Sequence, residues 1–183
     1  MSRLTQQSET DAPEASKPFL ATVKKNFGMI PNLVKVFANS PAVIEGYLGL
    51  ATALSKGKFN AQEREAYALT IAGTNGCAYC ASAHAAAAGA MKVDADEIER
   101  NLNAQSGDAK LQAGLQFARE VVETRGFVSD AALQAVRDAG HSEEEVVEIV
   151  GQVALNILTN YTNHVADTDI DFPARSAKSA IAA

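Results

Sequence analysis

Three times this chain places a capping side chain three residues ahead of a glutamate: Asn60 before Glu63, Asp94 before Glu97, and Ser142 before Glu145. At that spacing the first side chain accepts a hydrogen bond from the backbone N–H of the third helical residue, and the glutamate side chain accepts one from the backbone N–H of the cap. Each is a helix start marked independently of hydrophobicity. Ser40 followed by Pro41 marks another, for a helix running to about Lys56, and a short helix is expected behind Pro31. Leu111, Leu115, Ala118 and Val122 form a helical stripe that ends near Gly126, and "SDAALQAVRDAG" fits a further short helix. No segment sustains the period-two alternation of a half-buried strand, and alanine is abundant throughout. The expected fold class is therefore all-α, a helical bundle.

At 183 residues the chain suits a single domain with its own core. A polar segment, residues 1–17, and a tail, residues 174–183, flank a helical domain over residues 18–173, and both ends are read as loose or docked on a neighbour. Lysine and arginine number 16 against 22 aspartates and glutamates, a net charge of -6. With no basic cluster to follow a phosphate backbone, nucleic acid is not an expected partner. The polar, acidic start lacks the apolar centre of a signal peptide, and no apolar run reaches membrane-spanning length. The expectation is a cytoplasmic protein with no membrane partner.

Both cysteines of the chain fall in "NGCAYCASAH", with one of its three histidines four residues on. In a reducing compartment a close pair of this kind reads as a redox couple or part of a metal site rather than a structural staple. "GTNGC" ends the helix begun at Asn60, and Thr74 or Asn75 can cap a new helix carrying Cys77, Cys80 and His84. At about 100° per residue, Cys80 lies roughly 60° from Cys77 around the axis and His84 falls between them. All three share one face. A helix N-terminus also favours the thiolate, through unpaired N–H groups and the helix dipole. The small residues of "ASAHAAAAGA" leave room for a small substrate. The bland alternative is two buried small residues with His84 satisfied by a carbonyl; zinc, held by two thiolates, an imidazole and a carboxylate, is the chemical rival.

Glu65 stands out on the preceding helix. Ala61, Ala68, Leu69 and Ala72 share its stripe, so its carboxylate points towards the core. Burial would raise its pKa into the range useful for proton transfer, whereas pairing with an arginine or reaching for water would leave it structural. Farther along, Asn156, Asn160 and His164 recur every four residues, with Asn163 beside them. Buried asparagines need partners. They could line the cysteine pocket, meet another subunit or face solvent; a structural or interface role is the favoured reading, and His164 suits the negative end of the helix.

"EAYALTIAGTNGCAYCASAH" resembles the signature of the alkylhydroperoxidase D-like proteins of the carboxymuconolactone decarboxylase superfamily. The pattern is glutamate, eleven residues, Cys-x-x-Cys, three residues, histidine. Flanks from "GMIPNLVKVFANSP" to "LNILTNYTNHVADTDIDFP" resemble its peroxidase-related branch, so the likeness covers about residues 27–173. The resemblance implies an AhpD-like helical bundle, a homo-oligomer often built on trimers, and an antioxidant peroxidase acting on hydroperoxides without a cofactor or bound metal. Carried over, Cys80 is peroxidatic, Cys77 resolves it as a disulfide, and Glu65 and His84 relay the proton. The helix-terminus argument alone would instead make Cys77 the more acidic thiol. Tyr79 occupies a position that is histidine in the best-characterised motif, which shortens the relay by one member and leaves the reductant open: a lipoyl-bearing protein or another dithiol. Two alternatives stand beside this reading, a lyase like the decarboxylase that names the superfamily and a non-catalytic redox sensor.

Overall fold

A computed structural model describes residues 2–177. Among these, one turn of 3-10 helix, Glu14–Ser16, precedes α1 (Lys17–Phe27), α2 (Asn32–Phe37), α3 (Pro41–Leu54), α4 (Ala61–Asn75), α5 (Ala78–Ala90), α6 (Ala95–Leu102), α7 (Ala109–Thr124), α8 (Asp130–Asp138) and α9 (Glu143–Ala166). No strand occurs among the described residues.

The start signals act largely as written. Asn60 and Ser142 form reciprocal capping boxes with Glu63 and Glu145, and Ser40 and Ser129 accept from the N–H groups of Val43 and Ala132. The third expected box does not form. Asp94 caps through the N–H of Asp96 at 2.8 Å, while Glu97 turns to the Ser106 hydroxyl, the Gly107 N–H and Arg100. A carboxylate with loop donors and a guanidinium in reach gains more from them than from one cap N–H. An unexpected helix, α1, occupies Lys17–Phe27: Pro18 sits in its first turn and Leu20 and Val23 are buried.

Helix α4 is the hub. Every residue from Ala66 to Asn75 is buried, as expected of a helix enclosed on all sides by α5, α6, α7 and α9. Leu69 and Ala72 join the apolar cluster holding Leu20, Phe37, Ile44 and both cysteines; Tyr67 and Ile71 join a second, with Leu115, Val136 and Ile149.

The ends of the chain differ from expectation. Residues 2–13 lie on their own chain, with Ser2 N donating to Asp169 Oδ2 (3.2 Å), Gln7 N to Lys35 O (3.1 Å), and Ala12 buried. Beyond α9 the chain runs as a strap across α2 and α5. Asp171 accepts from Asn32 N (2.8 Å) and from the Tyr79 hydroxyl (2.8 Å), and Arg175 N donates to Ser82 Oγ (2.8 Å). Polar anchors hold what hydrophobic patterning did not reveal. Residues 178–183 of the expected loose tail lie outside the described residues.

Candidate active site

Gly76, at φ 69°, ends α4 in the left-handed conformation that glycine adopts without penalty. Thr74 and Asn75 therefore remain inside α4, and Cys77 itself is the N-cap of α5, its sulfur 3.4 Å from Cys80 N. The sequence expectation of a Thr74 or Asn75 cap gives way because the glycine stop falls one residue before the cysteine. A sulfur in the cap position faces the open N–H groups of the helix, where negative charge is favoured.

Both cysteines are free and buried. One helix more distant in sequence, α9, completes their surroundings. Asn163 Nδ2 donates to Cys80 Sγ at 3.1 Å, and the Thr159 hydroxyl lies 3.9 Å from the same sulfur while donating to Asn156 O. The thiols titrate as a pair. Hydrogen bonding from the Cys80 thiol draws Cys77 below its ordinary value against the effect of burial, and the same neighbour, with burial, pushes Cys80 well above. Acidity within the pair thus favours Cys77.

One helical turn beyond Cys80, His84 Nδ1 meets Glu65 Oε2 at 2.7 Å. Burial alone would depress the imidazole, but the charge of Glu65, its hydrogen bond and the charge of Cys77 outweigh it and raise the pKa. Glu65 is thus neither solvated alone nor bound to arginine; it is the histidine's carboxylate.

These groups open onto a cavity of about 570 Å³. Cys80, Glu65, His84 and Thr159 lie on its wall; Cys77 does not. The remainder is mostly apolar, including Phe27, Met29, Leu48, Ala83 and Phe172. Tyr79 is also on the wall, but its hydroxyl donates to Asp171 and accepts from Leu33 N (3.1 Å), and its ring meets Phe172 edge-on at 5.8 Å. Burial first, and then Asp171, raise its pKa. It is an anchor of the strap, with its proton already committed.

The four residues singled out from the sequence, Glu65, Cys77, Cys80 and His84, are thus brought together. Asn163 is corrected from an interface or structural role to a direct contact of Cys80, and Thr159 is an addition. Asn160 pairs with Asn75 at 3.0 Å and Asn156 bonds Gln152 O, whereas His164 is exposed and stacks on Tyr161. Among the described residues, no group of three or more histidine, cysteine, aspartate or glutamate side chains is arranged to hold a metal ion.

Residues 41–120, from the first residue of α3 into α7, match the carboxymuconolactone decarboxylase family. Over those residues the chain is similar to that family. The fold is AhpD-like. It is similar to the alkylhydroperoxidase AhpD core of an uncharacterized peroxidase-related protein from Ralstonia eutropha JMP134, with a TM-score of 0.83 and 21% identity over 93% of this chain and 92% of that one. A peroxidase-related protein from Silicibacter sp. TM1040 superimposes with a TM-score of 0.77 at 20% identity, covering 92% and 94% of the two chains. The debrominase Bmp8, in complex with 2,3,4-tribromopyrrole, gives 0.78 at 21% identity, covering 93% and 92%. No curated protein matches the chain in sequence. No helix among the described residues is long and apolar enough to cross a membrane.

Proposed function

We propose that this protein, similar over residues 41–120 to the carboxymuconolactone decarboxylase family, is a thiol peroxidase that reduces organic hydroperoxides through a Cys77–Cys80 dithiol/disulfide cycle. The observation that carries the reading is the pairing of an apolar cavity with a dithiol of which only Cys80 lies on the wall, one turn from a histidine–carboxylate pair. Acidity favours Cys77 and access favours Cys80; the single proton of the monoanionic pair reconciles them. When it moves from the Cys80 sulfur to that of Cys77, the charge reaches the sulfur that faces substrate and accepts from Asn163.

Cys80 thiolate attacks the outer oxygen of the hydroperoxide. The S–O bond forms as the O–O bond breaks, and the departing alkoxide takes a proton supplied by His84, leaving the alcohol and a sulfenic acid. Glu65 holds the imidazole in orientation and favours its charged form. Cys77 then attacks the Cys80 sulfur, expelling water and forming the disulfide; the thiols have supplied two electrons, and a dithiol reductant such as a lipoyl-bearing protein returns them. One equivalent of peroxide should consume both free thiols of each chain and yield an intramolecular disulfide. Cys80→Ser should stop turnover, and Cys77→Ser should leave a sulfenic acid that dimedone traps. Persistence of both thiols under peroxide would sink the reading.

The debrominase similarity and the apolar cavity support a second reading, in which the same two electrons reduce a carbon–halogen bond of an aromatic ring. Bromide release from a bromopyrrole, coupled to disulfide formation, tests it. Self-association belongs to the same proposal: Val147, Val150, Leu158, Tyr161 and Val165 form an exposed apolar stripe along α9, the kind of patch that marks a contact surface. Light scattering should report an assembly larger than 19.2 kDa.

A further inference from the structure

Tyr47 brings a further polar group to the cavity. Its ring packs at 5.0 Å from Phe37 in a tilted contact, which fixes the side chain on α3, and it lines the cavity together with Cys80, Glu65 and His84. Glu65 and His84 on that wall hold each other, Tyr79 holds Asp171, and Thr159 holds Asn156 O, while the remaining polar residues of the lining, Asn26, Thr52 and Ser55, are exposed to solvent. The Tyr47 hydroxyl makes no hydrogen bond among the described residues. A half-buried phenol in an apolar enclosure, fixed by packing and left without an acceptor, is a donor awaiting one.

We propose that the Tyr47 hydroxyl is a substrate-binding donor, which hydrogen-bonds the oxygen of the bound hydroperoxide and of the alcohol formed from it. The assignment deepens the peroxidase reading and rests on it for the identity of that oxygen. Tyr47 keeps its proton throughout: burial, followed by the negative charges at Cys80 and Glu65, pushes its pKa up to about 12. The same charges would repel an unassisted oxyanion, so a fixed donor here offsets that repulsion as charge develops on the leaving oxygen. Glu65 and the thiolate themselves, acceptors when ionised, cannot supply that bond.

The test uses the full chain and Tyr47→Phe, with cumene hydroperoxide as substrate and a lipoyl compound as reductant. The variant should lose about 10- to 100-fold in kcat/KM. Its Cys80 should be alkylated by iodoacetamide within about twofold of the parent rate, since substrate oxygen is absent from that reaction. Binding gives a readout independent of turnover. The parent should bind cumyl alcohol about tenfold more tightly than cumene, which lacks the hydroxyl, and Tyr47→Phe should bind the two alike. Equal preference for alcohol and hydrocarbon in the parent, or an unchanged preference in the variant, would overturn the assignment. Alcohol preference lost in the variant while the parent consumes no peroxide would overturn the peroxidase reading and leave Tyr47 as the donor.

Discussion

Among the described residues lie two histidine–carboxylate pairs. In one, His84 Nδ1 is 2.7 Å from Glu65 Oε2, and the His84 side chain keeps 28% of its surface exposed. In the other, His141 Nδ1 is 3.7 Å from Glu145 Oε2, and the side chain is 2% exposed. The second imidazole is held at its far end by Lys110 O, 2.9 Å from Nε2. Its carboxylate is shared as well, accepting from Ser142 N and from Lys110 Nζ. His84 Nε2 has no protein partner among the described residues, and the ring lines a cavity. A buried histidine beside a glutamate is therefore not in itself a relay. What distinguishes the first pair is an unoccupied second nitrogen with space in front of it, one turn from a thiol.

Exchanging the carboxylates tests this difference most strongly. Glu65→Gln should lower peroxide turnover about 100-fold, the scale of a lost acid–base assist, whereas Glu145→Gln should leave turnover within about twofold, both measured as kcat/KM. Equal losses would dissolve the distinction. Stability should show the reverse order. His141→Ala removes a buried bond to Lys110 O and opens a void, so it should cost about 2–3 kcal/mol in urea unfolding, with kcat nearly unchanged. Gly114→Ala probes the same region from the other side. Its Cβ would fall 2.2 Å from Tyr67 Oη and 2.9 Å from His141 Nε2, and the forced shift should cost about 1–3 kcal/mol.

The smallest effect is on pH dependence, best read in a Cys77→Ser/Cys80→Ser background so that the thiols do not titrate. The folded-state pKa of His84 is raised, chiefly because Glu65 overcomes burial, so the paired imidazolium stabilises the fold fully below its unfolded value. That contribution should disappear as pH rises through the folded value. Glu65→Gln should flatten the slope and move the His84 ring-proton titration by NMR to lower pH, while leaving the His141 resonance in place. A common shift of both resonances would mean that the two pairs are not independent.

The sequence carried one side of the site and concealed the other. Glu65, Cys77, Cys80 and His84 lie on two consecutive helices, where cap signals, the glycine stop and helical periodicity bring them to one wall. Asn163 and Thr159 reach Cys80 from 83 and 79 residues away. Their helix presents polar groups in several directions, and only the packing angle of α9 against α5 determines which side chains meet the thiol. Tyr47 had the same disadvantage: an aromatic residue on an apolar helix reads as core until the space in front of it is known. Two local signals were available but outweighed. Gly76 marked the end of α4, which makes Cys77 the cap, and Pro18 with Leu20 and Val23 marked α1. Glu97 could not be read locally, since its donors at Ser106 and Gly107 lie beyond the helix it was expected to cap.

The strap anchored by Tyr79 also limits how this site can evolve. Residue 79 bonds Leu33 and Asp171 with one hydroxyl, and its ring seats Phe172 on the cavity wall. Replacing it with the histidine of the best-characterised motif would bring a proton carrier between the cysteines and, in the same step, release the cavity wall from the end of the chain. A lineage passing between the two motifs must therefore change twice, at residue 79 and at whatever holds the strap. The single intermediate, Tyr79→His, should have a looser cavity wall before it becomes a better catalyst.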